Sequence, residues 1–164
     1  MDGNGKLFFA LMYKNKEILE KTIDLLKNNF GGIVSKSPGY DFNFTDYYEK
    51  EFGTNLKKTI IILDKKINKN DLTEIKIKIT EIEKNHSSDG KRTINIDPGY
   101  VNDKEVVLAS FKKKDFKEDL GDGVYAHKVL EFENGEVKSF FHTFADYKSK
   151  LVQEFFLKSI EQHL

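Results

Sequence analysis

KLFFALMYKNKEILEKTIDLLKNNFGG, residues 6–32, decides the fold class of this chain. Residues 6–12 form an apolar run of strand length, bounded by polar residues. The following segment repeats apolar residues at the helical spacing, and the glycine pair 31–32 supplies a helix stop; these apolar residues are Ile18, Leu19, Ile23, Leu26 and Phe30. The chain is therefore predicted to open with a buried strand and an amphipathic helix.

The next segment predicts a return to the sheet. Residues 33–44 hold two short extended pieces around Pro38–Gly39, a pair that favours a turn. TDYYEKEFG at 45–53 predicts a helix of about one or two turns, with Thr45 or Asp46 as the N-cap and Glu49 completing a capping box.

Two further elements complete the first half of the chain. TIIIL at 59–63 predicts a central strand. Residues 71–84 alternate like a strand and also repeat like a helix, so their periodicity leaves both readings open. Their length and the Asn70 or Asp71 cap favour a helix.

Two hairpins are predicted in the second half. Strands at 93–96 and 105–111 flank a turn at Pro98–Gly99. A sharper turn is predicted at Asn134–Gly135, the sequence that a type I′ turn favours. Its register pairs the flanking residues in order: Glu133 with Glu136, Glu131 with Lys138, Val129 with Phe140, His127 with His142 and Tyr125 with Phe144.

The C-terminal residues 149–164 predict a helix that docks on the sheet through one apolar stripe, formed by Val152, Phe155, Phe156 and Ile160. The element order from the start is strand, helix, strand, strand, helix, strand. We therefore expect an α+β fold in one domain, residues 1–164. Its ferredoxin-like βαββαβ core would be extended by C-terminal antiparallel strands and the docking helix.

The composition narrows the function classes. The absence of cysteine excludes disulfides, thiolate zinc sites and cysteine nucleophiles. No secretory signal or bilayer-spanning run is present, so we expect a cytoplasmic protein with no membrane partner. The 27 basic residues balance 27 acidic residues, which disfavours nucleic acid as a partner.

Four sequence blocks carry a family resemblance. FNFTDYYEKEFG at 42–53, KRTINIDPGYV at 91–101, GDGVYAHKVLEF at 121–132 and HTFADY at 142–147 resemble, in order, the signature blocks of the prokaryotic domain of unknown function family numbered 4416. The resemblance covers nearly the whole chain and implies no established activity. The chain also lacks a GxxxxGK[ST] phosphate-binding run.

The strand near residue 95 predicts the first candidate site. Arg92 is the only arginine of the chain, and its planar fork can grip a carboxylate or phosphate with two bonds. Asn95 and Asp97 follow on one polar face, and Tyr100 could cover a cleft. In the alternative interpretation, Arg92 pairs with a structural carboxylate such as Glu83, and Asp97 bonds the turn backbone.

Two weaker candidates complete the set. Thr45, Tyr48 and Glu49 could present helix N-terminal amides and a carboxylate to a ligand, although helix capping explains the same pattern. His127 and His142 could share a metal ion, but two ligands are too few, and a half-buried polar pair is the alternative.

We therefore hypothesise that the protein binds an anionic small molecule, such as a phosphorylated or nucleotide-like one, in a cleft around Arg92. Asp97 and Glu49 are the candidate acid-base groups, and whether catalysis occurs is left open. The alternative is a non-catalytic interaction module that forms a homodimer through a sheet edge or the C-terminal helix. No motif identifies a cofactor.

Overall fold

The computed structural model describes residues 5–164, so the first four residues of the expected domain lie outside it. It contains nine strands and four α-helices in the order β1 (Gly5–Tyr13), α1 (Lys16–Phe30), β2 (Ile33–Lys36), β3 (Tyr40–Asp41), α2 (Glu49–Phe52), β4 (Lys57–Ile67), α3 (Asp71–Asn85), β5 (Ile94–Val101), β6 (Glu105–Ser110), β7 (Glu118–Gly121), β8 (Val124–Glu133), β9 (Glu136–Ser139) and α4 (Lys150–His163). A 3-10 helix, Ala145–Lys148, precedes α4.

All nine strands belong to one sheet in the order β2-β4-β1-β5-β6-β8-β7, with β3 beside β4 and β9 beside β8. Every strand pair is antiparallel. The expected α+β class is confirmed, with a sheet that is larger than the expected core.

β1 lies at the centre of the sheet, between β4 and β5. Its side chains alternate between two hydrophobic cores. Leu7 and Phe9 pack in the core that contains residues of α1 and α3, whereas Phe8 and Ala10 pack in the core that contains residues of α4. The run at 6–12 is apolar throughout because helices cover both faces of this strand.

The two long helices of the first half agree with the sequence predictions. Asn15 caps α1 by accepting hydrogen bonds from the Glu17 and Ile18 amides. The ambiguous segment at 71–84 is helical, because Leu72, Ile75 and Ile79 lie on one buried face of α3. Burial of that face, rather than the strand-like alternation, decides the conformation.

The predicted cap of α2 is wrong. The helix has a single turn, and its N-cap residue, Tyr48, makes no side-chain capping bond. The Thr45 hydroxyl instead accepts the Tyr47 amide, and Glu49 bonds the Asp46 carbonyl through its own amide. Thr45 and Asp46 therefore lie in a turn before the helix.

The β5–β6 hairpin forms, but its predicted turn at Pro98–Gly99 is wrong. Both residues lie inside β5, opposite Phe9 and Phe8 of β1, and the chain turns at residues 102–104. The Ile96 amide points away from β1, to the Glu83 carboxylate. Pro98 faces the same side, where β5 is not yet paired with β6 and its missing N–H breaks no strand pairing.

The β8–β9 hairpin confirms the predicted type I′ turn, with φ of 53° at Asn134 and 76° at Gly135. The Glu133–Glu136 and Glu131–Lys138 pairs are present. The three pairs predicted beyond them are wrong because β9 ends at Ser139.

Thr143 explains why β9 stops. Its hydroxyl donates to the Val129 carbonyl at 2.6 Å and accepts the Phe140 amide at 2.8 Å. These two bonds turn the chain away from β8 before residues 140–144 can continue the ladder.

The C-terminal helix docks as predicted. Ser149 caps α4 by accepting the Val152 amide. Val152 and Phe156 are buried, and the Phe156 ring lies 5.3 Å from the Phe8 ring between centroids. The sheet is thus covered by α1 and α3 on one face and by α4 on the other.

None of the helices in residues 5–164 combines the length and the apolar character that a bilayer crossing requires.

Candidate functional site

Arg92 is held by three residues that join separate elements of the fold. Its guanidinium forms two parallel bonds with Glu51 of α2, Nε to Oε2 at 2.7 Å and Nη2 to Oε1 at 3.0 Å. Nη1 donates to Glu83 of α3 at 3.2 Å and to Asn95 of β5 at 2.9 Å. Four of the five guanidinium N–H groups are therefore used within the protein.

The pKa values of the two carboxylates reflect their pairing with Arg92 and their different burial. Hydrogen bonds from Arg92 lower the pKa of Glu51 below its usual value. Burial raises the pKa of Glu83, although the Ile96 amide and Arg92 partly oppose this change. The alternative interpretation of Arg92, a pair with Glu83, is confirmed.

The hydrogen-bonded network extends from Asn95 to Asp97. The Asn95 amide nitrogen donates to Asp97 Oδ2 at 3.1 Å, so Arg92, Asn95 and Asp97 form one hydrogen-bonded chain. Lys76 Nζ approaches Asp97 Oδ1 only to 3.9 Å, beyond hydrogen-bond distance. The side chain of Asp97 is 28% exposed, whereas Asn95 is buried. Both ends of the chain, Arg92 at 33% and Asp97, are therefore partly accessible to solvent, and only Asn95 between them is buried.

A second polar group lies on the same face of the sheet, under the 3-10 helix. Lys58 Nζ donates to Asp146 Oδ2 at 2.8 Å, and the Tyr40 hydroxyl donates to the same oxygen at 3.0 Å. Lys58 and Asp146 are both buried. A buried ion pair of this kind needs hydrogen bonds to its remaining atoms, and Tyr40 supplies one.

Three tyrosines lie within electrostatic range of Asp97. Burial is the main cause that raises the pKa of Tyr40, Tyr48 and Tyr147, and the negative charge of Asp97 adds to each. Tyr147 is fully buried, and its hydroxyl has no hydrogen-bond partner in residues 5–164. Of the three phenol groups, that of Tyr40 is hydrogen-bonded to one of these carboxylates, Asp146.

The structure brings together only some of the residues that the sequence predicted for the site. Arg92, Asn95 and Asp97 come together in one hydrogen-bonded chain. Tyr48 is linked to them only through Phe52, whose ring lies 6.1 Å from the Tyr48 ring and 5.2 Å from the guanidinium carbon of Arg92. Tyr100 does not join them, because it packs in the core beneath α1 and α3, with its hydroxyl donating to Glu105. The other two, Thr45 and Glu49, are exposed residues of the turn and of α2.

A groove with a volume of about 690 Å³ opens beside Arg92. Its charged lining consists of Lys14, Lys91, Arg92 and Glu51. Since Arg92 and Glu51 neutralise each other, the two lysines leave the groove with a net positive charge. The N-terminal end of α1, at Asn15 and Ile18, forms another wall and adds the partial positive charge of a helix start.

The two histidines proposed for a metal are close together, with ring centroids 5.2 Å apart. They are not paired residues of a hairpin, and Phe116 and Phe144 pack around His127. Both ring nitrogens of His127 are buried without a partner among the described residues, and desolvation lowers the pKa of this histidine to about 4. Residues 5–164 contain no group of three or more potential ligands arranged for a metal ion.

The sequence analysis did not identify most of the charged residues that pair with one another in these polar groups. Glu51, Lys58 and Asp146 carry no local signal, because their partners lie 41 and 88 positions away in the chain. Glu83 alone was expected as a partner, since it stands near Arg92 in sequence. Charge pairing between distant segments cannot be read from periodicity.

A scan of family models decides the family. The family described as Domain of unknown function (DUF4416) matches residues 4–163. The protein belongs to this family. No curated protein and no solved structure is significantly similar to the chain.

Three of the four sequence blocks that resemble DUF4416 contribute to the two polar groups, one around Arg92 and one around Asp146. The block at 42–53 supplies Tyr48 and Glu51, and the block at 91–101 supplies Arg92 and its hydrogen-bonded chain. The block at 142–147 supplies Asp146 and Tyr147. The fourth block, at 121–132, lies in β8 and its preceding turn, and it contributes His127.

Proposed function

We propose that this DUF4416 protein binds an anionic small molecule, such as a phosphorylated or nucleotide-like one, in the groove beside Arg92. The observation that carries the proposal is the charge of the groove, in which three cations face a single carboxylate. Opposite charges attract across a concave, partly desolvated surface more strongly than across open water. A ligand with a negative group is therefore favoured over a neutral or cationic one.

Each cation has a separate task in this proposal. Lys14 and Lys91 are exposed and form no ion pair among the described residues, so they supply the net attraction. Arg92 is fixed by Glu51, Glu83 and Asn95 and offers one remaining N–H to the ligand. The Arg92–Asn95–Asp97 chain serves to position the guanidinium. Asp97 does not line the groove, so its proposed role is to hold this chain rather than to contact the ligand.

Ligand-induced stabilisation tests the proposal. Thermal unfolding would be followed with inorganic phosphate, glycerol 3-phosphate and adenosine monophosphate, since a bound ligand raises the melting temperature by mass action. At least one probe should stabilise the protein, and the increment should vanish in a Lys14→Ala/Lys91→Ala variant. The same increment should be lost in Arg92→Lys.

A control variant separates the groove from general charge. Lys65→Ala/Lys113→Ala removes two exposed lysines elsewhere in the chain and should keep the full increment. Equal loss in both double variants, or no response to any anion, would refute an anion site at Arg92.

A further proposal concerns the fold of the first half of the chain. We infer that β1, α1, β2, β4, α3 and β5 correspond to a ferredoxin-like βαββαβ unit. The strand order β2-β4-β1-β5, its antiparallel pairing and the shared core of α1 and α3 support this inference.

A cytoplasmic location is also proposed, because the chain contains no cysteine, as is common in proteins of a reducing compartment.

The second candidate function is that of a non-catalytic interaction module that forms a homodimer. The observation that favours it is the position of β2 at the end of the sheet, where it pairs only with β4 among the described strands. Two copies could join such edges. Sedimentation velocity at micromolar concentration would show a dimer if this candidate is correct and a monomer if it is not.

A further inference from the structure

A second groove, with a volume of about 740 Å³, lies between the edge strand β2 and helix α4. Ser35, Lys36 and Pro38 line one wall. The other wall is one flank of α4, whose apolar surface is provided by the exposed Leu151 and the half-buried Phe155. This groove shares no lining residue with the groove at Arg92.

The groove has a fixed shape because its two walls are joined. The hydroxyls of Ser35 and Ser159 lie 2.8 Å apart and form a hydrogen bond between β2 and α4. Ser159 also donates to the Phe155 carbonyl within the helix. A ligand that enters this groove would therefore meet a preformed surface, which reduces the entropy cost of binding.

The strand wall offers backbone hydrogen bonds. β2 is the terminal strand of the sheet and pairs with β4 alone within residues 5–164. A strand edge presents N–H and C=O groups to any extended chain that lies alongside it. Addition of a peptide strand to an edge, with side chains packed on an adjacent surface, is an established mode of peptide recognition.

The charge of the groove selects the partner. Lys36 and Lys158 have no carboxylate partner among the described residues, whereas Lys150 lies 3.7 Å from Glu154. Two cations therefore remain uncompensated. They attract an acidic segment, and the repulsion between two positive edges disfavours the β2–β2 homodimer described above as the second candidate.

We infer that this groove binds an extended acidic peptide of another protein, which adds to the free edge of β2 and packs its apolar side chains on α4. Leu151 and Phe155 take the apolar side chains, and Lys36 and Lys158 take the carboxylates. This site is independent of the anion site at Arg92.

Selection from a random dodecapeptide library displayed on phage tests the inference. Binders would be selected on the wild-type protein after depletion on a Lys36→Glu/Lys158→Glu variant. We expect acidic peptides in which apolar residues alternate, because side chains of a strand alternate between two faces. No enrichment, or enrichment of basic sequences, would overturn the inference.

The selected peptide then allows a test of geometry by fluorescence anisotropy and amide chemical shifts. Binding should weaken at least tenfold in Lys36→Glu/Lys158→Glu and remain unchanged in the control Lys65→Glu/Lys113→Glu, which alters the net charge equally. Shifts should concentrate at Ile33–Lys36 and along α4.

Backbone methylation distinguishes strand addition from simple charge attraction. N-methylation of alternate peptide amides removes the donors of one strand edge only. One of the two alternate sets should abolish binding and the other should preserve it. Equal binding of both methylated peptides, or a wild-type dimer that the double charge reversal dissociates, would contradict the proposed mode.

Discussion

The Arg92 guanidinium and the Glu51 carboxylate form a two-bond pair that joins the segment just before β5 to the single-turn helix α2. The backbone amide of Arg92 donates to the same carboxylate at 3.1 Å. Lysine cannot reproduce this geometry, because an ammonium group lacks the planar fork.

Arg92→Lys is therefore expected to lower the free energy of unfolding by about 1–3 kcal/mol, since it leaves polar groups of Glu83 and Asn95 without their partner. Urea denaturation would measure the change. Lys65→Arg, at an exposed position, is the matched control and should stay within about 0.5 kcal/mol of wild type. An Arg92→Lys protein of wild-type stability would contradict the structural role of the fork.

Protonation of His127 should weaken the fold at mildly acidic pH. The pKa of this histidine is about 4 in the folded protein and about 6.5 in an unfolded chain. The unfolded state therefore binds more protons between these values, and the free energy of unfolding falls as the pH drops from 6.5 toward 4. The charge of Lys117 opposes protonation of this ring, whereas His142 opposes it through its charge and favours it through its backbone.

The test compares wild type with His127→Phe, which cannot titrate at this position. Their difference in unfolding free energy should change by roughly 3 kcal/mol across that window, because other groups titrate alike in both proteins. His163→Gln, at the exposed C-terminal end, should show no such change. A pH-independent difference for His127→Phe would refute the burial of a neutral imidazole.

Gly99 should tolerate no side chain. A Cβ atom at this position would overlap the Val107 carbonyl oxygen and lie 2.7 Å from the Phe8 ring. Gly99→Ala is expected to cost about 1–3 kcal/mol or more, since neither β6 nor the core can move freely. At Gly32, a Cβ atom would meet nothing within 4 Å, so Gly32→Ala should be nearly neutral in the same denaturation assay.

Replacement of two neighbouring lysines of β4 should lower the free energy of unfolding by very different amounts. Lys58 forms a buried pair with Asp146, whereas Lys57 forms an exposed pair with Asp41 at 3.6 Å. Lys58→Met should cost about 3–5 kcal/mol because it leaves a buried carboxylate uncompensated. Lys57→Met should cost less than about 1 kcal/mol. Similar losses for the two variants would contradict the burial of the Lys58–Asp146 pair.

Two buried tyrosines provide a further matched comparison. Tyr40→Phe removes a bond to the Asp146 carboxylate and should cost about 1.5–3 kcal/mol. Tyr147→Phe removes a hydroxyl that has no partner among the described residues, so it should be neutral or stabilising. A clear loss of stability in Tyr147→Phe would reveal that this hydroxyl is bonded in solution.

Most secondary structure of this protein could be predicted because its causes are local. The apolar run of β1, the helical spacing of apolar residues in α1 and α4 and the Asn134–Gly135 turn each depend on residues close together in sequence. The errors occurred where a distant group competes with a local signal. Pro98–Gly99 has the composition of a turn, but pairing with β1 keeps it extended.

The candidate site was predictable only in part, for the same reason. Alternation along β5 placed Asn95 and Asp97 on one face, and the single arginine directed attention to Arg92. Tyr100 follows in the same motif but points to the opposite core. The carboxylates that hold Arg92 come from α2 and α3, which approach it only after the helices pack.

The amino-acid sequence by itself determined the type of each long element, the family and the polar face of β5, because periodicity and local motifs suffice for these. Tertiary structure alone decided the strand order, the partners of Arg92 and the two charged grooves. Such features depend on contacts between residues far apart in the chain, and only the packed sheet brings those residues together.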